Sequence, residues 1–163
     1  MGIGLVIIGI LTRFIPHLPN FSPLVGIALF SGAYLRKQAY FIPLAIYIIS
    51  DIIIGLHSTI IFTWGSILLI YGLGRKLRDH KTVGGIAFYT LLSSIIFFLI
   101  TNFGVWLLGW YTYTFKGLIK CYILAIPFFR MSLLANFIYV SILFGIYEYF
   151  LRKKALPKES IAF

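Results

Sequence analysis

The chain has 163 residues, 61% of them hydrophobic and only 11% charged, with a mean hydropathy of +1.00. That composition excludes an ordinary soluble domain and predicts a single all-α integral membrane domain. The net charge of +10 falls in short loops beside apolar segments, which assigns it to membrane topology and argues against nucleic-acid binding.

Six apolar segments are expected, near residues 2–15, 23–35, 38–55, 59–75, 83–109 and 132–151, within a transmembrane domain 1–152 followed by a cytoplasmic tail 153–163. None shows the strict alternation of a membrane strand, so the spanning structure is helical. The N-terminus has no basic region and no small-residue cleavage pattern ahead of its apolar run, and is read as a retained helix.

The first two segments would make helices of about 21 and 20 Å against a hydrocarbon core of roughly 30 Å. Between them lies Arg13-Phe-Ile-Pro-His-Leu-Pro-Asn-Phe-Ser-Pro23. Pro16, Pro19 and Pro23 each lack a donor and disfavour helix in the residue before. The first hairpin is therefore broken, with irregular backbone at membrane depth. Such backbone survives where protein covers it or where it lines a wet cavity. This predicts a pocket roofed by Arg13, His17 and Asn20, the alternative being a tight proline-rich turn without a ligand.

Charge sets the orientation. Arg36 and Lys37 follow the second segment, Arg75, Lys76, Arg78 and Lys81 the fourth, and Arg152, Lys153, Lys154 and Lys158 the sixth, so ten of the 14 basic residues share one side. By the positive-inside rule that side is cytoplasmic, and both termini face it. Arg13, Lys116, Lys120 and Arg130 are left outside, where topology gives them no role.

Other polar residues gather at the same outer face. Asp51 lies one turn before Gly55, and His57 follows in a short turn. On the fifth helix Ser94, Phe98, Asn102 and Trp106 recur every four residues as one stripe. Asn136 falls in the outer third of the sixth. Intramembrane polar groups are costly, so their concentration in one half argues for an outward-facing pocket. The plainer readings are a helix–helix hydrogen bond for Asn102, an aromatic belt for Trp110, Tyr111 and Tyr113, and an interfacial turn for His57. Asp51 needs a partner such as Arg13 or Arg130, in a pair that is either structural or ligand-binding. Residues 112–130 are apolar yet interrupted at Pro127. They are expected to form an outer interfacial or re-entrant, lid-like segment closing over the 13–20 stretch through Phe128, Phe129 and Arg130.

Enzyme chemistry finds no support in the residues. There is no His-Glu-x-x-His, no G-x-S-x-G and no phosphate loop, so the protein is expected not to be an enzyme. The one cysteine, Cys121, permits neither an internal disulfide nor a cysteine-built metal site. His17, Asp51 and His57 have donor types suited to a divalent metal but no ligand spacing, so no metal or other cofactor is expected.

The strings Arg13-Phe-Ile-Pro-His-Leu-Pro-Asn-Phe-Ser-Pro23, Ala28-Leu-Phe-Ser-Gly-Ala33, Ser50-Asp51, Thr101-Asn-Phe-Gly-Val-Trp106 and Ala125-Ile-Pro-Phe-Phe-Arg130 resemble an uncharacterised bacterial six-helix membrane-protein family, over nearly the whole chain. That architecture in turn resembles the substrate-binding S component of energy-coupling factor (ECF) transporters. The resemblance implies a small subunit that captures a vitamin-like nutrient and docks on a transmembrane coupling protein driven by two cytoplasmic ATPases. The Ala-x-x-x-Ala docking motif usual on the first helix of S components is absent, and the nearest small-residue pair is Ala28-x-x-x-Gly32 on the second. That spacing serves internal helix packing equally well.

The expected function is thus membrane-embedded capture of a small anionic or heterocyclic nutrient for uptake. Arg13 and Arg130 would hold an anionic or carbonyl-rich group, His17 would help roof the pocket, and Asn20, Asp51 and Asn102 would hydrogen-bond. Phe98 and Trp106 would stack on a ring. The competing class is an accessory subunit of a larger membrane complex, in which the same polar cluster only ties helices together.

Overall fold

The computed structural model describes residues 2–14, 20–35 and 37–155. Among these, six α-helices follow in order: α1 (Gly2–Phe14), α2 (Leu24–Tyr34), α3 (Phe41–Ile54), α4 (Ile60–Leu77), α5 (Val83–Val105) and α6 (Phe115–Ala155). A 3-10 turn, Lys37–Tyr40, leads into α3, and a π-helical turn, Trp106–Trp110, extends α5. By length and composition three helical stretches can cross a membrane: Ile60–Leu77, Val83–Trp110 and Phe115–Leu151. The helices near Gly4–Phe14, Leu24–Tyr34 and Phe41–Ile54 are apolar but shorter, as the 2–15 and 23–35 expectations require.

The bundle is built around α2. Its sequence is apolar on all sides, and such a helix belongs inside. Every residue from Leu24 to Ala33 is buried, with α1, α3, α4, α5 and α6 all packed against it. An 11-residue helix is marginal in isolation, so these neighbours stabilise it. Its closest partner is α4, where glycines permit near-contact of backbones. A Cβ on Gly32 would stand 2.2 Å from the Tyr71 carbonyl oxygen, and one on Gly74 would stand 2.2 Å from the Leu29 oxygen. The Ala28-x-x-x-Gly32 pair is therefore used for internal packing. Ala28 and Gly32 both lie inside the bundle.

The last turn of α2 leaves carbonyls without helical partners. Arg78, just past α4, supplies them: its Nε donates to the Ala33 oxygen at 3.1 Å, and its Nη2 reaches the Gly32 and Leu35 oxygens. A cation there also opposes the negative end of the helix dipole. Beside it Phe30, Tyr34, Phe144 and Tyr147 pack edge-on, with ring centroids 4.5–5.4 Å apart.

α5 opens on Thr82, whose Oγ1 accepts from Gly85 N at 3.0 Å, an N-cap of the usual kind. It closes through the π-helical turn at Gly109, whose φ of 82° suits glycine. The sequence expectation for 112–130 is corrected here. Those residues form no separate interfacial or lid-like segment, because α6 runs unbroken from Phe115 to Ala155 with Pro127 inside it. Proline deletes one backbone donor. In an apolar setting a chain break would orphan several more groups, so continuing the helix is the cheaper solution. The resulting 41-residue helix is about 62 Å long, twice the hydrocarbon thickness. The tail expectation of 153–163 also shifts, since α6 includes residues up to Ala155 and 156–163 lie outside the described residues.

Candidate functional site

The site starts at the C-terminal end of α3. There Gly55, at φ 122°, turns the chain and donates its N–H to the Asp51 carbonyl at 2.9 Å. The Asp51 side chain points inward and is only 1% exposed. Its Oδ1 lies 2.6 Å from Arg13 Nη1, an ionic contact without the alignment of a hydrogen bond. Its Oδ2 accepts from Trp64 Nε1 at 2.9 Å. His57 Nε2 stands 3.7 Å from Oδ2, with its Nδ1 2.9 Å from Thr59 Oγ1. Arg13 also donates to Ser50 Oγ at 2.9 Å, and its guanidinium lies 5.0 Å from the centroid of the Tyr47 ring. The cluster ties α1, α3 and α4 together and meets the requirement that a buried carboxylate be paired. Of the two arginines expected as partners, Arg13 is the one used.

Next to this cluster are two adjoining cavities. The first, about 270 Å³, is lined by Arg13, Asn20, Ser22, Tyr47, Ser132 and Asn136 among others. The second, about 180 Å³, adds Ser94, Phe98, Thr101, Asn102, Phe128 and Phe129. Asn20, Phe97, Ser132 and Asn136 border both. Asn20 holds a left-handed φ of 60°, which asparagine tolerates better than most residues. Its carbonyl accepts from Ser132 Oγ at 3.2 Å. Buried Asn136 donates through Nδ2 to Ser94 Oγ at 2.9 Å, and Ser94 donates to the Thr90 carbonyl at 2.8 Å. On α6 the lining residues Ala125, Phe128, Phe129, Ser132 and Asn136 follow one face at i, i+3, i+4, i+7 and i+11.

Arg13 and Asn20 line the first cavity, and Asn20, Phe98 and Asn102 the second. Asn102 Nδ2 donates to the Phe98 carbonyl of its own helix at 2.8 Å, and the Phe98 ring lies 4.7 Å from that of Phe129. Asp51 borders neither cavity and acts through Arg13. Trp106 is not brought in: its Nε1 donates to the Thr112 carbonyl at 3.0 Å and closes the α5–α6 turn. Arg130 is not brought in either. It is exposed on α6, one residue and about 100° around the helix from Phe129, and so falls off the lining face. Phe128 and Phe129 reach the second cavity as part of a continuous helical wall, where the sequence predicts a lid. His17 lies outside the described residues.

Ser22, Tyr47, Phe97 and Ser132 line the cavities without standing out in the sequence, and Asn136, expected only at the outer face, joins them. A signal existed for the last two, since Ser132 and Asn136 are polar at i, i+4 on an apolar helix. Tyr47 and Phe97 carry no such signal.

The chain belongs to DUF6580, described as a family of unknown function, whose model matches residues 1–159. No curated protein and no solved structure matches it.

Proposed function

We propose that this member of a family of unknown function is a multi-pass membrane protein, with both termini cytoplasmic, that binds a small nutrient-like molecule for uptake. The observation that carries the reading is the pair of adjoining cavities. Their walls set Asn20, Ser132, Asn136, Asn102 and Thr101 among Val25, Phe97, Phe98 and Phe129, and polar groups converging beside apolar and aromatic walls suit a ligand site. Volumes of about 270 and 180 Å³ together reach only the lower part of the roughly 300–1,000 Å³ of drug-sized sites, so the ligand is small. Its charge follows from Arg13. With that guanidinium balanced by Asp51 at 2.6 Å and Arg130 off the lining face, amide and hydroxyl groups dominate the cavity. A neutral, carbonyl-rich ring stacked on Phe98 and Phe129 suits it better than a strong anion. The finer reading is an S-component-like subunit served by a coupling protein and cytoplasmic ATPases. Since Ala28 is buried and Gly32 packs against α4, such a partner would meet a different surface.

A specific observation favours the accessory-subunit reading as second choice: Asp51 and Asn102 each have partners within the chain. Native mass spectrometry of the gently purified chain, with extraction of any bound small molecule, separates the two. A stoichiometric ligand that is lost in Asn102→Ala or Phe128→Ala, at an unchanged unfolding midpoint, supports capture. A chain that arrives empty and always with another membrane protein overturns it in favour of the accessory role.

A further inference from the structure

A third hollow lies in the other half of the α5–α6 seam and shares no lining residue with the first two. It is a groove of about 360 Å³ between Val83–Thr90 of α5 and Phe137–Glu148 of α6. Its walls are apolar, from Val83, Ile86, Val140 and Phe144. Small residues, Ala87, Ser141 and Gly145, keep it open. Along α6 it runs for about 16 Å, the depth of one bilayer leaflet, roughly half of the 30 Å hydrocarbon core. At one end stands Lys81, in the turn between α4 and α5, in a 75–81 stretch where Arg75, Lys76, Arg78 and Lys81 outnumber a single acid, Asp79. Glu148, the acid among the groove's lining residues, is engaged by the Tyr34 hydroxyl. The Lys81 ammonium lies 4.6 Å from the centroid of the same Tyr34 ring.

From this juxtaposition we propose that the α5–α6 groove is a binding site for an anionic phospholipid, one acyl chain lying along Ala87, Ser141 and Gly145 and the phosphate headgroup meeting Lys81 at the basic α4–α5 turn. The proposal rests on the chain being embedded in a bilayer and not on the nutrient-binding reading. Length and charge choose the occupant. A leaflet-deep apolar slot takes a single hydrocarbon chain, and a basic rim at the membrane surface attracts an anionic headgroup over a zwitterionic one.

The test uses the full chain, delipidated in mild detergent and titrated in native mass spectrometry with phosphatidylglycerol or with phosphatidylcholine of the same acyl chains. The wild type should retain one phosphatidylglycerol at concentrations where phosphatidylcholine is not held. Gly145→Phe should abolish that adduct, because a Cβ at Gly145 meets nothing within 4 Å and the ring can fill the groove without disturbing the fold. Gly72→Phe, at an equally open glycine on α4, should retain it. Lys81→Gln should keep chain binding while the preference for phosphatidylglycerol falls about fivefold, the effect of roughly one juxtamembrane charge. Equal retention of the two lipids by the wild type, or a Gly145→Phe variant that still holds phosphatidylglycerol, overturns the proposal. Occupation of the groove by a helix of a co-purifying membrane protein, with no lipid adduct, overturns it as well.

Discussion

Separating Arg13 from Asp51 should destabilise the bundle unequally depending on which partner is removed. Asp51 is 1% exposed and Arg13 19%, so the carboxylate has little access to water while the guanidinium has some. Arg13→Leu strands a buried carboxylate that retains only the Trp64 donor and the more distant His57, and should cost about 3–5 kcal/mol. Asp51→Asn can still accept from Trp64, and it leaves Arg13 with Ser50 Oγ, the Tyr47 ring and partial solvent, so its cost should be about 1–2 kcal/mol. The double variant Arg13→Leu/Asp51→Asn removes both charges together. Its cost should fall short of the sum of the singles by about 2–3 kcal/mol, the coupling expected of groups in direct contact. SDS-titration unfolding of the full chain in mixed micelles, followed by tryptophan fluorescence, gives all three free energies. A coupling below about 0.5 kcal/mol, the range of independent sites, would refute the view that this pair clamps α1 to α3.

Gly32→Ala and Gly74→Ala should each cost about 1–3 kcal/mol or more in the same titration, since the new methyl meets a backbone oxygen that cannot rotate away. Gly65→Ala and Gly72→Ala, where a Cβ meets nothing within 4 Å, should be neutral or stabilise by up to about 1 kcal/mol. Arg78→Gln should cost about 1–2 kcal/mol through the uncapped carbonyls at the end of α2. Hydrogen exchange should then rise locally at Leu35, whose N–H bonds to Ser31, while α5 stays protected.

The helical class, the count of six helices and the need for a basic partner at Asp51 were legible in the residues alone. These follow from local quantities: the length of an apolar run, the position of a glycine or proline, and the cost of an isolated carboxylate in an apolar setting. Helical period alone also put Ser94, Phe98, Asn102 and Trp106 on one face, of which the first three line the second cavity. That Arg13 and not Arg130 pairs with Asp51 emerges from packing, since the choice depends on how α1 and α6 are rotated about their axes. Pro127 misled for a related reason. Its local effect is to break a helix, yet in an apolar environment the backbone groups that a break would expose cost more than the one bond proline removes. The burial of α2 and the cavity walls from Tyr47, Phe97, Ser132 and Asn136 were likewise settled by packing, because they depend on contacts between residues far apart in the chain, where no spacing rule reaches.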